Sequence, residues 1–475
     1  MKGPSFPAIL ALLALIFLMI LSSLSAQTIS WEKYFYGNGL DSGYGVAVDS
    51  DYVVVVGKYL NYTGYTKAFV AKLSKTDGSL LWIKALKIHD NDRAYDAAVD
   101  GQGNIYIVGQ TKDLVVGRTQ YYGFVAKFDS DGNLKWSKFW SGAPNSTGRG
   151  IAVDSSGYVY VTGEINITSY DCLIMKLDPT NGDVIWSKRI GTADRDEYGY
   201  DIAIDSNDNI YVAGKNTSAY SAFLLKLDTG GNMIWGEIWK VSSLNTRSEG
   251  VTVDPFGNVY IAGAVSYYPY NVSIAKFDEN GNLQWAKTWD SGGSDYVRSV
   301  AVDSQQVYLA GYTVDPNMGD HAVLIVAFDH VGNLAWDVVW NGTEFEEAYA
   351  VASGSLYITG LTRSLSLTVT DISGTITDVT DQPVKILGAP VAISISLTSL
   401  GEEYTPTPEE GRSAAQDYDI FVLALATPSP APVGGEIITP YSQRGWEQIT
   451  SIMAVISLIS ILIITVIIRK HYVRR

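Results

Sequence analysis

The chain has 475 residues, with 34 Lys and Arg against 50 Asp and Glu, a formal net charge of −16. The length allows a large core, and the acidity argues against nucleic acid or anionic lipid as partners. The single cysteine, Cys172, excludes an intrachain disulfide, and only four histidines occur, with no HExxH run, paired-cysteine set or phosphate-binding glycine loop, so no metal or cofactor is expected.

The first element, residues 1–26, reads as a signal peptide. Lys2 precedes an uncharged apolar run from Ala8 to Leu21, and small residues from Ser22 to Ala26 offer a cleavage site. Next comes ISWEKYFY (Ile29–Tyr36), one strand with no strands before it to pair with.

A repeat follows. Trp31, Trp82, Trp136, Trp186, Trp235, Trp285 and Trp336 recur 49 to 54 residues apart. Between them the chain returns to four short runs of Val, Ile, Tyr and Phe separated by Asp, Asn and Gly, as in AAVD, NIYIVG, FVAKFD and GNLKW. Four antiparallel strands per repeat make a propeller blade. We call the strands a to d. The chain opens on a d strand and closes on an a–b–c set, EAYAVAS, SLYITGL and DIFVLALA, so Ile29–Tyr36 is expected to complete the last of seven blades. The predicted fold is all-β: a seven-bladed β-propeller over 27–426.

Asp131-Gly132 suits a two-residue type I′ turn, which places Lys127 opposite Trp136. The same count pairs Lys226 with Trp235 and Lys276 with Trp285, while blade six has Ala327 in place of the lysine. A lysine stem packed along the indole is expected, with a cation–π contribution of roughly 0.5–2 kcal/mol. Every b strand ends in glycine, from Gly57 to Gly360, which suggests a bulge or a close backbone approach.

The a–b and c–d turns are short and alike. The d–a and b–c connections are long and varied, and they must share one face, where binding is expected. Six N-x-S/T sequons lie in or beside them, giving glycosylation candidates Asn61, Asn145, Asn166, Asn216, Asn271 and Asn341. Just before each a strand, at the expected channel mouth, one repeat position reads Tyr44, Tyr95, Arg149, Tyr200, Glu249, Arg298 and Ala348. Two residues earlier it reads Ser42, Arg93, Thr147, Tyr198, Arg247, Tyr296 and Glu346. The first six residues of the former row form the candidate binding rim.

One insertion, residues 363–417, separates strands b and c of blade seven. It is expected to be a small β subdomain or flap over one edge, with strands at Leu365–Val369, Gly374–Val379 and Val391–Thr398. Its SGTITDVTDQPV resembles a short stretch of carboxypeptidase-regulatory-like sandwich domains. A Pro/Gly-rich stalk (427–446) leads to a membrane-spanning helix (447–468), whose run from Ile449 to Ile468 carries no charge. The basic tail 469–475 marks the cytoplasmic side. Setting aside Lys2 and the four tail cations leaves 29 basic against 50 acidic residues, a net of −21 on the expected outer portion.

The runs DGQGNIYIVG, DSSGYVYVTG, DSNDNIYVAG and DPFGNVYIAG, starting at Asp100, Asp154, Asp205 and Asp254, resemble the β-propeller repeat family of bacterial and archaeal cell-surface proteins. The resemblance implies a propeller at the surface and no particular activity. The G-N-L-x-W turns also resemble quinoprotein dehydrogenase propellers, without a vicinal cysteine pair. The expected function is a membrane-anchored, extracellular, non-catalytic binding or scaffold module for a protein or glycan. The alternative is a polysaccharide hydrolase or lyase using carboxylates at the mouth, such as Asp194, Asp196 and Glu197, or Glu346 and Glu347.

Overall fold

The computed structural model describes residues 29–425 apart from loops at 36–40, 61–63, 90, 116–117, 142–144, 192–195, 218–219, 242–243, 267–268, 315–319, 342–344 and 354–355, and of 364–418 it describes six short strands. The expected signal peptide, stalk, membrane helix and tail, and Asn61, lie outside the described residues.

Seven sheets stand among the described residues, six of them led by four antiparallel strands in chain order. Blade three runs Thr147–Val153, Val159–Asn166, Tyr170–Leu177 and Val184–Ile190. The seventh sheet joins the two ends of the propeller: Ile29–Phe35 pairs antiparallel with Asp419–Leu425, Trp31 opposite Ala424 and Phe35 opposite Ile420. The expected closure is therefore present. The b and c strands are sandwiched between neighbouring blades, which is why they read as unbroken apolar runs such as Val53–Val56, all fully buried.

The D-x-x-G-N-x-Y run has a physical basis. Asp100 accepts the backbone N–H groups of Gln102 and Asn104 through Oδ1 and the hydroxyl of buried Tyr106 through Oδ2, at 3.0, 2.9 and 3.0 Å. Asp154, Asp205 and Asp254 repeat the arrangement with Tyr160, Tyr211 and Tyr260. These carboxylates hold turns, the role that Asp129 and Asp278 play in the c–d turns.

Lys127, Lys226 and Lys276 lie opposite Trp136, Trp235 and Trp285 as expected. The turn producing this register differs from the expected one. In the c–d turn of blade two only Gly132 takes a positive φ (83°), the Asp129 N–H donates to the Asn133 carbonyl, and the strands slip between Lys127 and Phe128. A three-residue loop plus a bulge gives the register that a type I′ turn would have given. The lysine's aromatic partner also differs. Its ammonium lies over the b-strand tyrosine, 5.0 Å from the Tyr106 ring for Lys127 and 5.1 Å from Tyr211 for Lys226, rather than over the indole opposite.

The lysine and the tryptophan act between blades. Lys127 Nζ and Trp136 Nε1 both donate to the Pro179 carbonyl in the next blade, at 2.9 and 3.1 Å. Lys72 and Trp82 share Ser130, Lys226 and Trp235 share Glu279, and Lys276 and Trp285 share His330. Blade seven has no c–d hairpin, because its c and d strands come from opposite ends of the propeller. Blade six accordingly has no turn carbonyl to grip. It carries Ala327, and Trp336 donates instead to Gln306 of its own blade at 2.9 Å.

The insertion does not form the expected subdomain or flap. Its strands are shared out around the ring. Thr368–Asp371 adds to the d strand of blade six, Thr375–Asp378 to blade five, Val384–Lys385 to blade four, Val391–Ala392 to blade three, Ser396–Ser399 to blade two and Glu402–Tyr404 to blade one. The strand starts are five to nine residues apart, so each link is a short step to the adjoining blade. The segment is a belt that travels backward past six blades and returns to blade seven at Asp419. It covers d-strand edges that would otherwise present unpaired backbone groups.

Candidate site at the channel mouth

Each a strand slips by one residue against its b strand at the same place, between Gly43 and Gly45, Ala94 and Asp96, Gly148 and Gly150, Gly199 and Asp201, Ser248 and Gly250, Val297 and Ser299, and Ala348 and Ala350. The extra residues are Tyr44, Tyr95, Arg149, Tyr200, Glu249, Arg298 and Tyr349. Seven stacked bulges re-aim seven side chains. The b-strand glycine opposite is the other half of the device: a Cβ on Gly57, Gly109 or Gly163 would collide with the carbonyl of Ser42, Arg93 or Thr147. All six predicted rim residues belong to this set. In blade seven the residue is Tyr349 rather than Ala348, and its companion is Glu347 rather than Glu346. The slip there falls between Ala348 and Ala350.

These side chains meet around the ring. Tyr44 lies 5.4 Å from Tyr95 and 5.0 Å from Tyr349 between ring centroids. The Arg149 guanidinium sits 5.1 Å from the Tyr95 ring and 6.0 Å from Tyr200. Arg298 sits 4.6 Å from Tyr349. Glu249 accepts the Tyr296 hydroxyl at 2.7 Å and pairs with Arg247 at 3.2 Å.

A tier of smaller residues follows each bulge: Gly45, Asp96, Gly150, Asp201, Gly250, Ser299 and Ala350. Asp96 accepts the N–H of Ile151 in blade three, Asp201 that of Val251 in blade five, and the Ser299 hydroxyl that of Val351 in blade seven, at 2.9, 2.8 and 3.2 Å. The tethers join blades in pairs, and the small residues make room for them. Both aspartates keep some surface open to the channel, but protein surrounds them. Burial raises the pKa of each, and the charge of Asp201 pushes Asp96 further.

The b-strand residue after the glycine in one blade abuts the a-strand residue two before the bulge in the next. Gln110 donates to Thr147 at 2.8 Å across such a junction. At two junctions both positions hold a cation, Lys58 and Arg93, and Lys215 and Arg247. Burial first, and then the nearby guanidinium, lowers the pKa of Lys58 and of Lys215. Elsewhere the cations are matched. Arg149 holds Glu164 through Nε and Nη2 at 2.9 to 3.3 Å, and although burial opposes its charge, Glu164 outweighs that and raises its pKa. Glu347 is held by Arg298 at 3.2 Å and by His321 at 2.7 Å. Burial works against its charge, but these partners leave its pKa below the ordinary value. His321 stacks between Tyr312 and Phe345, at 4.6 and 4.0 Å. Composition hides this His321–Glu347–Arg298 cluster, because its members come from different strands of two blades.

The carboxylates named for a hydrolase are otherwise engaged. Asp196 accepts the Tyr170 N–H and the Tyr198 hydroxyl. Glu197 and Glu346 are buried and bonded to Asn216 and Thr362. Asp194 lies outside the described residues. Among the sequons, Asn145 is exposed in the left-handed region (φ 59°), Asn166 and Asn271 are partly buried at strand ends, Asn216 donates to Glu197, and the Asn341 side chain is outside the described residues.

The beta-propeller repeat family model matches residues 136–171 and 185–218. No curated protein matches the chain in sequence. Among solved structures the chain is similar to the quinohemoprotein alcohol dehydrogenase of Comamonas testosteroni, at 12% identity and a TM-score of 0.45 over 89% of this chain and 80% of that one. It is similar to a putative 6-phosphogluconolactonase of Bacteroides uniformis at 13% identity and a TM-score of 0.41, over 62% and 83%. A protein of unknown function from Dyadobacter fermentans matches at 11% and 0.40, over 75% and 100%. Likenesses this distant carry no activity across. The chain is a seven-bladed β-propeller, and residues 136–171 and 185–218 of it match the beta-propeller repeat.

Proposed function

We propose that this protein is a membrane-anchored binding or scaffold module, displayed outside the cell, that engages an extracellular protein or glycan through its long-loop face. The observation that carries the reading is the ring of bulged residues. Seven blades each spend an irregular residue at one level, and most of those residues are tyrosine or arginine, side chains suited to amphipathic contact. The channel-mouth carboxylates Glu164, Glu249 and Glu347 are each held by a cation, which supports binding over general acid–base chemistry.

The test is affinity capture from a cell-envelope extract with the full-length protein in detergent. Variants Tyr44→Ala, Tyr95→Ala and Tyr200→Ala should lose the captured partner together. Alteration of the opposite c–d turns at Asp131 and Asn280 should not. Capture that survives the tyrosine variants and fails with the turn variants overturns the assignment.

A further inference from the structure

We propose that the short-turn face, which carries the a–b and c–d turns, rests against a charge-neutral lipid surface through six exposed side chains, Leu80, Leu81, Ile185, Ile234, Phe256 and Val331; this deepens, and rests on, the reading of the protein as membrane-anchored. The argument starts from a division of exposed residues between the two ends of the ring. Ten large hydrophobic side chains are exposed among the described residues. These six stand either in a short turn or at the start of a d strand leaving one. The other four, Tyr65, Tyr121, Ile167 and Tyr220, stand at the b–c end, and three of them carry a hydroxyl. Single exposed apolar residues are ordinary; the gathering of all but one of the non-tyrosine residues at one end is not.

The two most exposed tips are held in place. Phe256 is 82% exposed and Val331 is 72% exposed. The Phe256 N–H donates to Asp254 Oδ1 at 2.9 Å, Asp254 Oδ2 accepts the Tyr260 hydroxyl at 3.2 Å, and that hydroxyl meets His330 Nδ1 at 2.9 Å. Val331 is the next residue, so one hydrogen-bonded chain fixes both tips at the junction of blades five and six. The six residues are spread over blades one, three, four, five and six, so a broad surface meets them where a single peptide would not. Trp82, Trp186 and Trp235 follow Leu81, Ile185 and Ile234 and keep part of each ring exposed, an arrangement of indoles suited to the headgroup level of a bilayer.

The path of the chain says what covers this face. The c strand of blade seven runs from Asp419, opposite Thr362, to Leu425, opposite Ile29, and therefore ends at the short-turn face. The chain beyond it contains the uncharged run from Ile449 to Ile468, the expected membrane span. A propeller tethered from this side turns this face toward the bilayer, and the tether keeps even a weak contact occupied. Two copies anchored in one bilayer direct the face the same way and cannot stack on it. The exposed carboxylates of Asp131, Asp183 and Glu279 lie in turns on the same side and repel anionic lipid, so the headgroups must be neutral. The long-loop face is left pointing away from the membrane.

The experiment places single labelled cysteines on the full-length protein reconstituted into phosphatidylcholine vesicles. Cys172 is fully buried, so an added surface cysteine takes an environment-sensitive fluorophore selectively. Labels at Phe256→Cys and Val331→Cys should shift to the blue and be quenched by lipid carrying a spin label near its headgroup. A label at Ile167→Cys, at the long-loop end, should do neither. Leu81→Ser, Ile185→Ser and Ile234→Ser together should weaken the quenching at Val331→Cys, and so should admixture of anionic lipid. Flotation with the vesicles but no quenching at Phe256→Cys and Val331→Cys would overturn this inference alone. So would equal quenching at Ile167→Cys, quenching unchanged by the three serines, or quenching that grows with anionic lipid. A blue shift in detergent accompanied by a dimer in light scattering would give the face to a second copy instead. Failure to float with the vesicles would overturn the membrane anchoring, and this inference with it.

Discussion

Lys127 and Trp136 face each other across one hairpin, and both donate to a single carbonyl, that of Pro179 in the following blade. Recurrence of this clasp ties the tryptophan period to ring cohesion. Gly132 belongs to the same device. It sits at φ 83°, and a Cβ on it would lie 2.9 Å from the Trp82 ring of the preceding blade.

Trp136→Phe and Lys127→Met should each cost about 1 kcal/mol of unfolding free energy, the usual net value of one hydrogen bond. The two effects should be coupled, because both donors serve one acceptor. Ala327→Lys should bring no gain, since blade seven supplies no turn carbonyl. Chemical denaturation of the single and double variants checks both statements, and equal stabilisation by Ala327→Lys would contradict the clasp.

Much of the architecture was legible in the chain. The tryptophan spacing, the unpaired strands at each end and the glycine closing each b strand all point to what the structure contains. Three features were not legible, for physical reasons. Turn type depends on which residue takes positive φ, and Asp131-Gly132 is compatible with two answers at the same register. The b-strand glycines mark the level of the bulge but not the a-strand residue it re-aims, which in blade seven is Tyr349 where the repeat row reads Ala348. The belt lacks a long periodic run, because its strands add one edge each to six different sheets and satisfy no pattern of their own.

The belt should be dispensable for the fold and needed for isolation of the molecule. Thr362 and Asp419 are register partners, so a short turn can join them directly. A variant with 363–418 replaced by such a turn should keep its β-sheet circular dichroism. With the d-strand edges uncovered, it should also self-associate in light scattering. A monodisperse monomer at high concentration would show that the belt does not guard the edges.

Asp96 and Asp201 make stability depend on pH in a definite direction. Both bind a proton more tightly in the fold than in the unfolded chain, because burial raises each and Asp201 further raises Asp96. Their contribution is fully present below the ordinary aspartate value of 3.8 and is lost as pH rises through their raised folded values. Carboxylates held below their ordinary values, such as Glu347 and Asp278, act oppositely and lose their contribution as pH falls through those values. The melting temperature should therefore rise from pH about 8.5 to about 5.5. Asp201→Asn should flatten that slope, whatever its effect on absolute stability. A slope unchanged in this variant would remove the pair as its origin.

Arg149 offers a way to separate stability from binding at the rim. Its guanidinium is about one-third exposed, while the Glu164 carboxylate it holds is 6% exposed. Arg149→Gln strands that carboxylate in an enclosed place and should cost roughly 1–3 kcal/mol, less than for a fully buried pair because of the exposure. Adding Glu164→Gln removes the stranded charge and should restore most of the loss. The double variant then has a sound fold, and a mouth without the cation that Tyr95 and Tyr200 flank at 5.1 and 6.0 Å. If the rim is the binding surface, this variant should melt near the parent temperature yet release the partner captured by the parent protein. Full capture by the double variant would mean that Arg149 serves only the blade interfaces, and the functional weight of the ring would pass to the tyrosines.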